Sequence, residues 1–236
     1  MEIRTLTTPD EFAEAVRVQR RVWGFEEIEL LPVRLFIVAS GVGGQTFGAY
    51  DGDRMVGFLL AIPGLKAGAK IYLHSHMLGV LPEYRNAGVG RRLKLRQRED
   101  ALARGIELVE WTFDPLELKN AFFNMERLGA VVRRYVLNQY GTTTSHLHGG
   151  LPTDRCVAEW WVASPRVEAI VSGRAAAGPP VEARIEVPAM IDALRRPIQE
   201  SVSNQFLEHL NRGLAVIGFE RSERAGAYLL GRWPCE

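Results

Sequence analysis

The stretch Arg85-Asn86-Ala87-Gly88-Val89-Gly90 carries the clearest chemistry in this chain. Two glycines two positions apart let the backbone approach a ligand closely and adopt positive φ where needed. They follow an apolar run that ends Leu78-Gly79-Val80-Leu81-Pro82, and they precede a stretch that reads as a helix to about Arg104. The first N–H groups of such a helix lack partners within it, and its dipole favours negative charge there. Arg85 adds a planar cationic fork. The chemistry on offer is anion binding, and a diphosphate is the natural guest.

Two histidines supply a second kind of chemistry. His74 and His76 stand two apart in the same apolar run, so a strand would turn both to one face. A neutral imidazole can take a proton directly or through water. The alternative is that both are hydrogen-bonded packing residues. Further along, Asp114 precedes Pro115 at the end of another apolar run, and Asp154-Arg155 closes the loop Gly149-Gly150-Leu151-Pro152-Thr153. Asp114 suits a turn or a substrate contact. Arg155 suits a local salt bridge to Asp154 or a carboxylate carried by a ligand.

The elements that must position these groups follow from pattern. Residues 2–6 alternate as a short strand. Thr8-Pro9-Asp10-Glu11 is a helix start with a capping box and proline at the first helical position. Phe12, Ala15, Val16, Gln19, Val22 and Trp23 follow at helical spacing, with only Gln19 polar, and Gly24 ends the run. A second helix is predicted after Pro32, stopped by Gly41 and Gly43-Gly44. Residues 45–50 and 54–62 read as a hairpin around Asp51-Gly52-Asp53. Residues 63–70 read as a loop and 71–81 as the central strand, with Gly79 suited to a bulge or a close approach.

After the glycine-turn helix come a strand over 106–113, a helix over 116–128 ended by Gly129, and a strand over 130–140. Beyond Gly141 the pattern is less regular. Residues 142–155 are a polar loop, 157–162 a strand, 172–180 a linker and 182–187 a strand. Residues 189–212 read as helical with an interruption at Pro197, and 214–220 with 225–231 as a closing hairpin.

Composition narrows the class. The chain has 236 residues, enough for a full core, and 29 basic against 28 acidic residues. That balance argues against bulk binding of nucleic acid. Arg91, Arg92, Lys94, Arg96 and Arg98 crowd the glycine-turn helix and read first as a solvated face, with one or two reaching phosphates. Cys156 and Cys235 form no metal-ligand spacing. No run approaches the ~20 apolar residues of a membrane span. A soluble cytoplasmic protein without metal, nucleic-acid or membrane partners is expected.

The turn resembles the acyl-CoA-binding motif of the GNAT superfamily of N-acetyltransferases. That pattern is Arg or Gln, two free positions, Gly, one free position, then Gly or Ala. Arg85, Gly88 and Gly90 match it, and Leu78-Gly79-Val80-Leu81-Pro82 resembles the strand that precedes it. The order of elements over residues 2–140 is similar too. The resemblance implies an α+β fold: a mixed, largely antiparallel sheet flanked by helices, with a core over 1–141. Residues 142–236 would be an α/β extension that completes the sheet and the acceptor site.

It also implies roles. Backbone groups of Leu78, Gly79 and Val80 would face the acyl-CoA arm and its thioester oxygen. Arg85, Asn86, Ala87, Gly88, Val89, Gly90 and Arg91 would hold the diphosphate, and Asn120 would touch the arm. Asn120 and Asn124 would share one helix face. His76, and secondarily His74, would take the amine proton, since members often carry a carboxylate near His76. Asp114 and Arg155 would contact the acceptor or acyl group. The chain departs from the pattern at Met125, where many members have the tyrosine that protonates the leaving thiolate. Tyr135, Tyr140 or water would have to replace it, and Tyr140 is taken as the candidate.

The combination HSHMLGV, WTFDPL, NAFFN and GLPTDR looks like a larger branch of the superfamily. Some members of that branch sit beside N-acylamino-acid racemases and are linked to N-succinylation of amino acids. The implied activity is direct transfer of an acetyl or succinyl group from CoA to the amine of a small molecule or amino acid. Acetyl-CoA or another acyl-CoA would be co-substrate, with no metal, and a homodimer is left open. The missing tyrosine motivates an alternative, a non-catalytic acyl-CoA-binding or sensing protein.

Overall fold

A computed structural model describes residues 1–141, 151–191 and 195–233. Their contacts divide them into two compact units, Met1–Glu110 and the residues from Trp111 onward. The division runs through a strand, whereas the expected boundary lies at residue 141.

The first unit begins with β1 (Glu2–Thr5) and α1 (Pro9–Trp23). The capping box forms as expected: Thr8 Oγ1 accepts from Glu11 N at 3.3 Å, and Glu11 Oε2 accepts from Thr8 N at 3.0 Å. Gly24 closes the helix at φ 65°, the left-handed region where glycine pays no steric cost. Gln19, polar within the apolar stripe, is buried and satisfied. Its amide donates to Leu31 O at 3.4 Å and accepts from Leu31 N at 2.9 Å, which fixes the chain entering α2 (Val33–Gly41).

Both helices bury their apolar faces against β2 (Gln45–Asp51) and β3 (Arg54–Lys66). Phe36 and Phe58 are fully buried with ring centroids 5.8 Å apart. Each such side chain contributes roughly 1.5–3 kcal/mol of burial.

β3 is longer than the sequence suggests. The expected loop over 63–70 is strand up to Lys66, paired with the start of β4 (Lys70–Val80), and only Ala67–Ala69 turns. Pro63-Gly64 looks like a turn, but Gly64 instead makes room for Tyr72, whose ring lies 2.5 Å from where a Cβ would sit. α3 (Val89–Ala103) packs on one face of β4. The strand order in this unit is β1-β2-β3-β4-β5, antiparallel except for β4 with β5 (Leu108–Phe113).

β5 leads into the second unit. The helix expected over 116–128 is α4 (Leu118–Phe122) followed by a π turn over Phe123–Arg127, with Gly129 at φ 78° after it. β6 (Val131–Val136) ends earlier than expected, and residues 137–140 turn, with Asn138 at φ 46°. The remaining elements are β7 (Arg155–Trp161), α5 (Pro165–Val171), β8 (Ala183–Pro188), α6 (Arg195–Asn211), β9 (Ala215–Arg221) and β10 (Ala225–Gly231). α5 has no counterpart in the sequence reading, although Ser164 caps it and Pro165 starts it.

Pro197 is the third described residue of α6, and the helix continues past it to Asn211 without an interruption. Residues 189–191 are not helical. The strand order is β7-β6-β9-β10-β8, so β7 and β9 from the tail flank β6. The core of this unit centres on Trp160, Phe206 and Tyr228, with Tyr135 stacked on Phe206 at 4.8 Å.

Candidate active site

The site is built on β4. On one side β3 pairs with it along its whole length. On the other, its parallel ladder with β5 has two rungs, Leu73↔Val109 and His74↔Glu110. Among the described residues no ladder continues past His74, so the edge from Ser75 to Val80 presents backbone groups without a strand partner. Buried backbone groups need partners. An extended ligand with amide groups is the kind of molecule that satisfies such an edge.

A β-bulge shapes that edge. Leu60 pairs with Met77 and Ala61 with Ser75, which leaves His76 as the extra residue. The bulge therefore sits at His76, and of the two readings of Gly79, a bulge or a close approach, the second holds. Gly79 is a close approach from the core side: an added Cβ would lie 2.9 Å from the Trp23 ring and 3.0 Å from Phe58. The bulge also switches faces. Ser75 meets α3, where Lys94 Nζ donates to its Oγ at 2.9 Å, whereas Met77 packs against the core cluster that holds Phe36 and Phe58.

The glycine turn follows. Pro82–Tyr84 form one 3₁₀ turn, tied down by Glu83, which pairs with Arg21 at 3.0 Å and Arg54 at 2.6 Å, and by Tyr84 Oη, which donates to Asp51 at 2.9 Å. A hydrogen bond from its own backbone N–H, and then the two arginines, hold the Glu83 carboxyl below its ordinary pKa. Asn86 at φ 65° and Gly88 at φ 77° then wind the chain into α3.

Gly88 is the N-cap, and no side chain caps this helix, so its first-turn N–H groups face outward. Val89 plugs the core with its side chain, leaving its N–H for the turn. Gly90 lies 3.5 Å, measured from an ideal Cβ, from Leu78, an ordinary contact. Arg85 and Ala87 are exposed, Arg91 is half-buried, and Arg85 Nε donates to Val80 O at 3.5 Å. Loop, helix start and arginine together fit an extended chain ending in a diphosphate.

The His74 and His76 rings lie side by side, centroids 5.8 Å apart. His76 is reached by solvent and His74 is half-buried. Protein packed around the His76 ring withdraws enough water to lower its pKa, keeping the imidazole neutral and able to accept a proton.

Sequence reasoning missed Lys94. It is not part of a solvated basic face but is 3% exposed, bonded to Ser75 and to Gln97 Oε1 at 3.0 Å. Burial pushes its pKa well down. The buried positions Val89, Leu93, Gln97 and Ala101 recur at helical spacing, and Lys94 beside Leu93 lies on that same face, which is the signal that reveals it.

The second unit holds the other candidates. Asp114 and Arg155 meet, but not as expected. The Arg155 guanidinium pairs with the Asp114 carboxylate at 4.0 Å and donates to the backbone O of Asp154 at 3.0 Å, and Arg195 joins Asp114 at 3.0 Å. Asp154 instead accepts from Ser203 Oγ at 2.7 Å and Asn138 N at 2.9 Å. Asp114 Oδ1 also accepts from Leu116 N at 2.8 Å, the turn role foreseen for it.

Tyr140 is exposed and shares a 2.8 Å hydrogen bond with Thr112 Oγ1. Tyr135 is committed to Ser203 at 2.8 Å, and its pKa is pushed up by burial. Asn120 is exposed while Asn124 is buried, because the π turn over Phe123–Arg127 changes the angular step and separates two residues expected on one face. Met125 is fully buried. Residues 142–150, including His146 and His148, and Cys235 lie outside the described residues. Among the described residues no group of histidines, cysteines and carboxylates could hold a metal, and no helix is long and apolar enough to cross a membrane.

Comparison with known proteins places this geometry. Residues 9–129 match the family described as acetyltransferase (GNAT) family. A search of curated protein sequences finds no match. Among solved structures, aminoglycoside 6'-acetyltransferase type Ii is 20% identical with a TM-score of 0.55, over 70% of this chain and 99% of its own. The ribosomal-protein-S18-alanine N-acetyltransferase from Escherichia coli is 18% identical with a TM-score of 0.54, over 69% and 94%. The Salmonella typhimurium protein yncA, solved with its cofactor acetyl-CoA, is 14% identical with a TM-score of 0.55, over 70% and 96%. At these identities the likeness concerns the fold, a mixed α/β arrangement with a mostly antiparallel sheet flanked by helices. The family match spans about half of the chain and contains both the β4 edge and the Arg85–Gly90 turn, so this protein belongs to the GNAT family of acetyltransferases.

Proposed function

We propose that the protein is an acyl-CoA-dependent N-acyltransferase that moves an acetyl or succinyl group directly to the amine of a small molecule or amino acid. The observation that carries this reading is the continuity of two features in one unit: the β4 edge from Ser75 to Val80 runs straight into the uncapped start of α3. The first suits an extended amide-bearing arm and the second its diphosphate. The acetyl-CoA-bound relative of the same fold supports the choice of cofactor.

Bound acyl-CoA supplies an activated thioester carbonyl. In this reading the N–H groups of the Leu78–Val80 segment donate to the carbonyl oxygen, where negative charge develops. His76 accepts the amine proton, directly or through water, as the N–C bond forms and the C–S bond breaks. The departing thiolate takes a proton from water. Tyr135 is unsuited to that task because its hydroxyl is spent on Ser203 within the core. Residues Arg85–Arg91 hold the diphosphate.

The test is incubation with acetyl-CoA and succinyl-CoA against a panel of amines and amino acids, following free thiol. Turnover with at least one pair is expected. Saturable CoA binding with no transfer across the panel would instead make the protein an acyl-CoA-binding module.

A further inference from the structure

The last rung of the β4–β5 ladder pairs His74 with Glu110. Residues opposite one another on neighbouring strands point to the same face of a sheet. Glu110 is 4% exposed and ion-paired with Lys66, which reaches across the Tyr72 ring at 5.2 Å. Along this face stand His76, exposed, His74, half-buried, Glu110, buried, and Lys66, a cation whose side chain is 35% exposed. This line ends at the rung where the β4 edge opens. A buried carboxylate is costly unless paired. The same face of the sheet that carries the histidines is where this chain keeps one.

We propose that Glu110, ion-paired with Lys66, is a positioning residue that orients His74 and stabilises positive charge on the His74–His76 pair when a proton arrives from the acceptor amine. It acts through His74 and does not touch substrate. The proton leaves the amine nitrogen, rests on the imidazole pair and returns to water as the pair resets, so no other reactant is required. The charged and titratable groups around His74 in this unit include His76 and Tyr72 on β4, Lys66 on β3 and Glu110 on β5. Lys94 of α3 reaches the opposite face at Ser75. The proposal rests on the acyltransferase reading only for the source of the proton.

The test reads the histidines themselves. In protein labelled at histidine, the His74 titration is followed by NMR in wild type, Glu110→Gln and Lys66→Met. Removing the negative charge should move the His74 midpoint down by about one pH unit, and removing the positive charge should move it up by about as much. Opposite signs cannot come from a general loss of structure. A His74 midpoint that stays in place in Glu110→Gln, or moves upward, overturns the proposal. Should that variant fail to fold, Lys66→Met decides alone, and an unmoved midpoint there overturns it. With a productive acyl donor and amine, Glu110→Gln should also lower kcat about tenfold at an unchanged KM for acetyl-CoA, and shift the acid limb of kcat/KM to lower pH. Wild type that turns over nothing sinks the acyltransferase reading, while the titration still decides the role of Glu110.

Discussion

Gly88 and Gly90 are chemically identical and two residues apart, yet substitution by alanine should act oppositely at the two. Gly88 sits at φ 77° as the N-cap of α3, and an added Cβ would meet nothing within 4 Å. The cost of Gly88→Ala is therefore backbone strain alone, about 1–2 kcal/mol for a left-handed residue. For a chain of this size that is a fall in Tm of about 2–8 °C. If the loop relaxes to shed the strain, the first-turn N–H groups rotate away from the anion they would bind, and each 1.4 kcal/mol so lost is about a tenfold weaker Kd.

Gly90 lies inside the helix and its added Cβ would make an ordinary 3.5 Å contact with Leu78. Alanine there removes glycine's entropic penalty, up to roughly 1 kcal/mol in favour of the helix. The assay is thermal melting with calorimetric titration of CoA. Gly88→Ala should melt lower and bind about tenfold more weakly, while Gly90→Ala should hold or gain stability and keep binding within about threefold. A Gly88→Ala variant that matches wild type in both measurements would refute the assignment of this turn.

Three further outcomes follow from particular residues. His76→Ala should lower kcat by about a hundredfold while leaving CoA affinity intact. Because burial lowers the His76 pKa, the acid limb of the wild-type kcat/KM profile should lie below the ordinary histidine value near 6.5, and a limb above that value would count against His76 as the base. Lys94 has a folded pKa well below its unfolded one, so the folded state binds fewer protons between the two, and stability relative to Lys94→Met should rise with pH over that window. Urea unfolding at pH 7 and 9.5 checks this, and a difference that stays flat contradicts the burial of the amine. Asp114→Asn strips the carboxylate shared by Arg155 and Arg195 and should cost roughly 3 kcal/mol. An unchanged urea midpoint would mean that the cluster is not structural and strengthen its case as a substrate contact.

The elements that were legible in the sequence are those whose signals are local. The Thr8–Glu11 capping box, the Gly24 stop and the Asp51-Gly52-Asp53 turn each act within four residues. The same holds for the Arg85–Gly90 turn, whose strand, glycines and helix are consecutive. The misreadings arise where a distant partner overrides a local cue. Pro63-Gly64 reads as a loop but is strand, because Tyr72 needs the space above Gly64. Asp154-Arg155 reads as a neighbouring salt bridge, yet the Asp154 carboxylate bonds to Ser203 and the Arg155 guanidinium meets the carboxylate of Asp114, residues 49 positions and about 40 positions away.

Sequence alone therefore determined the family motif and the order of elements through residue 140, since both rest on neighbouring residues and backbone geometry. Tertiary structure decided what surrounds them. The bulge that sets His76 apart is created by the register of β3 against β4. The burial of Lys94 depends on Ser75 and Gln97 sharing one interface, and the placing of Glu110 beside His74 depends on where a two-rung parallel ladder stops. Register and burial are properties of pairs of segments, and a single segment does not encode which face its partner will cover.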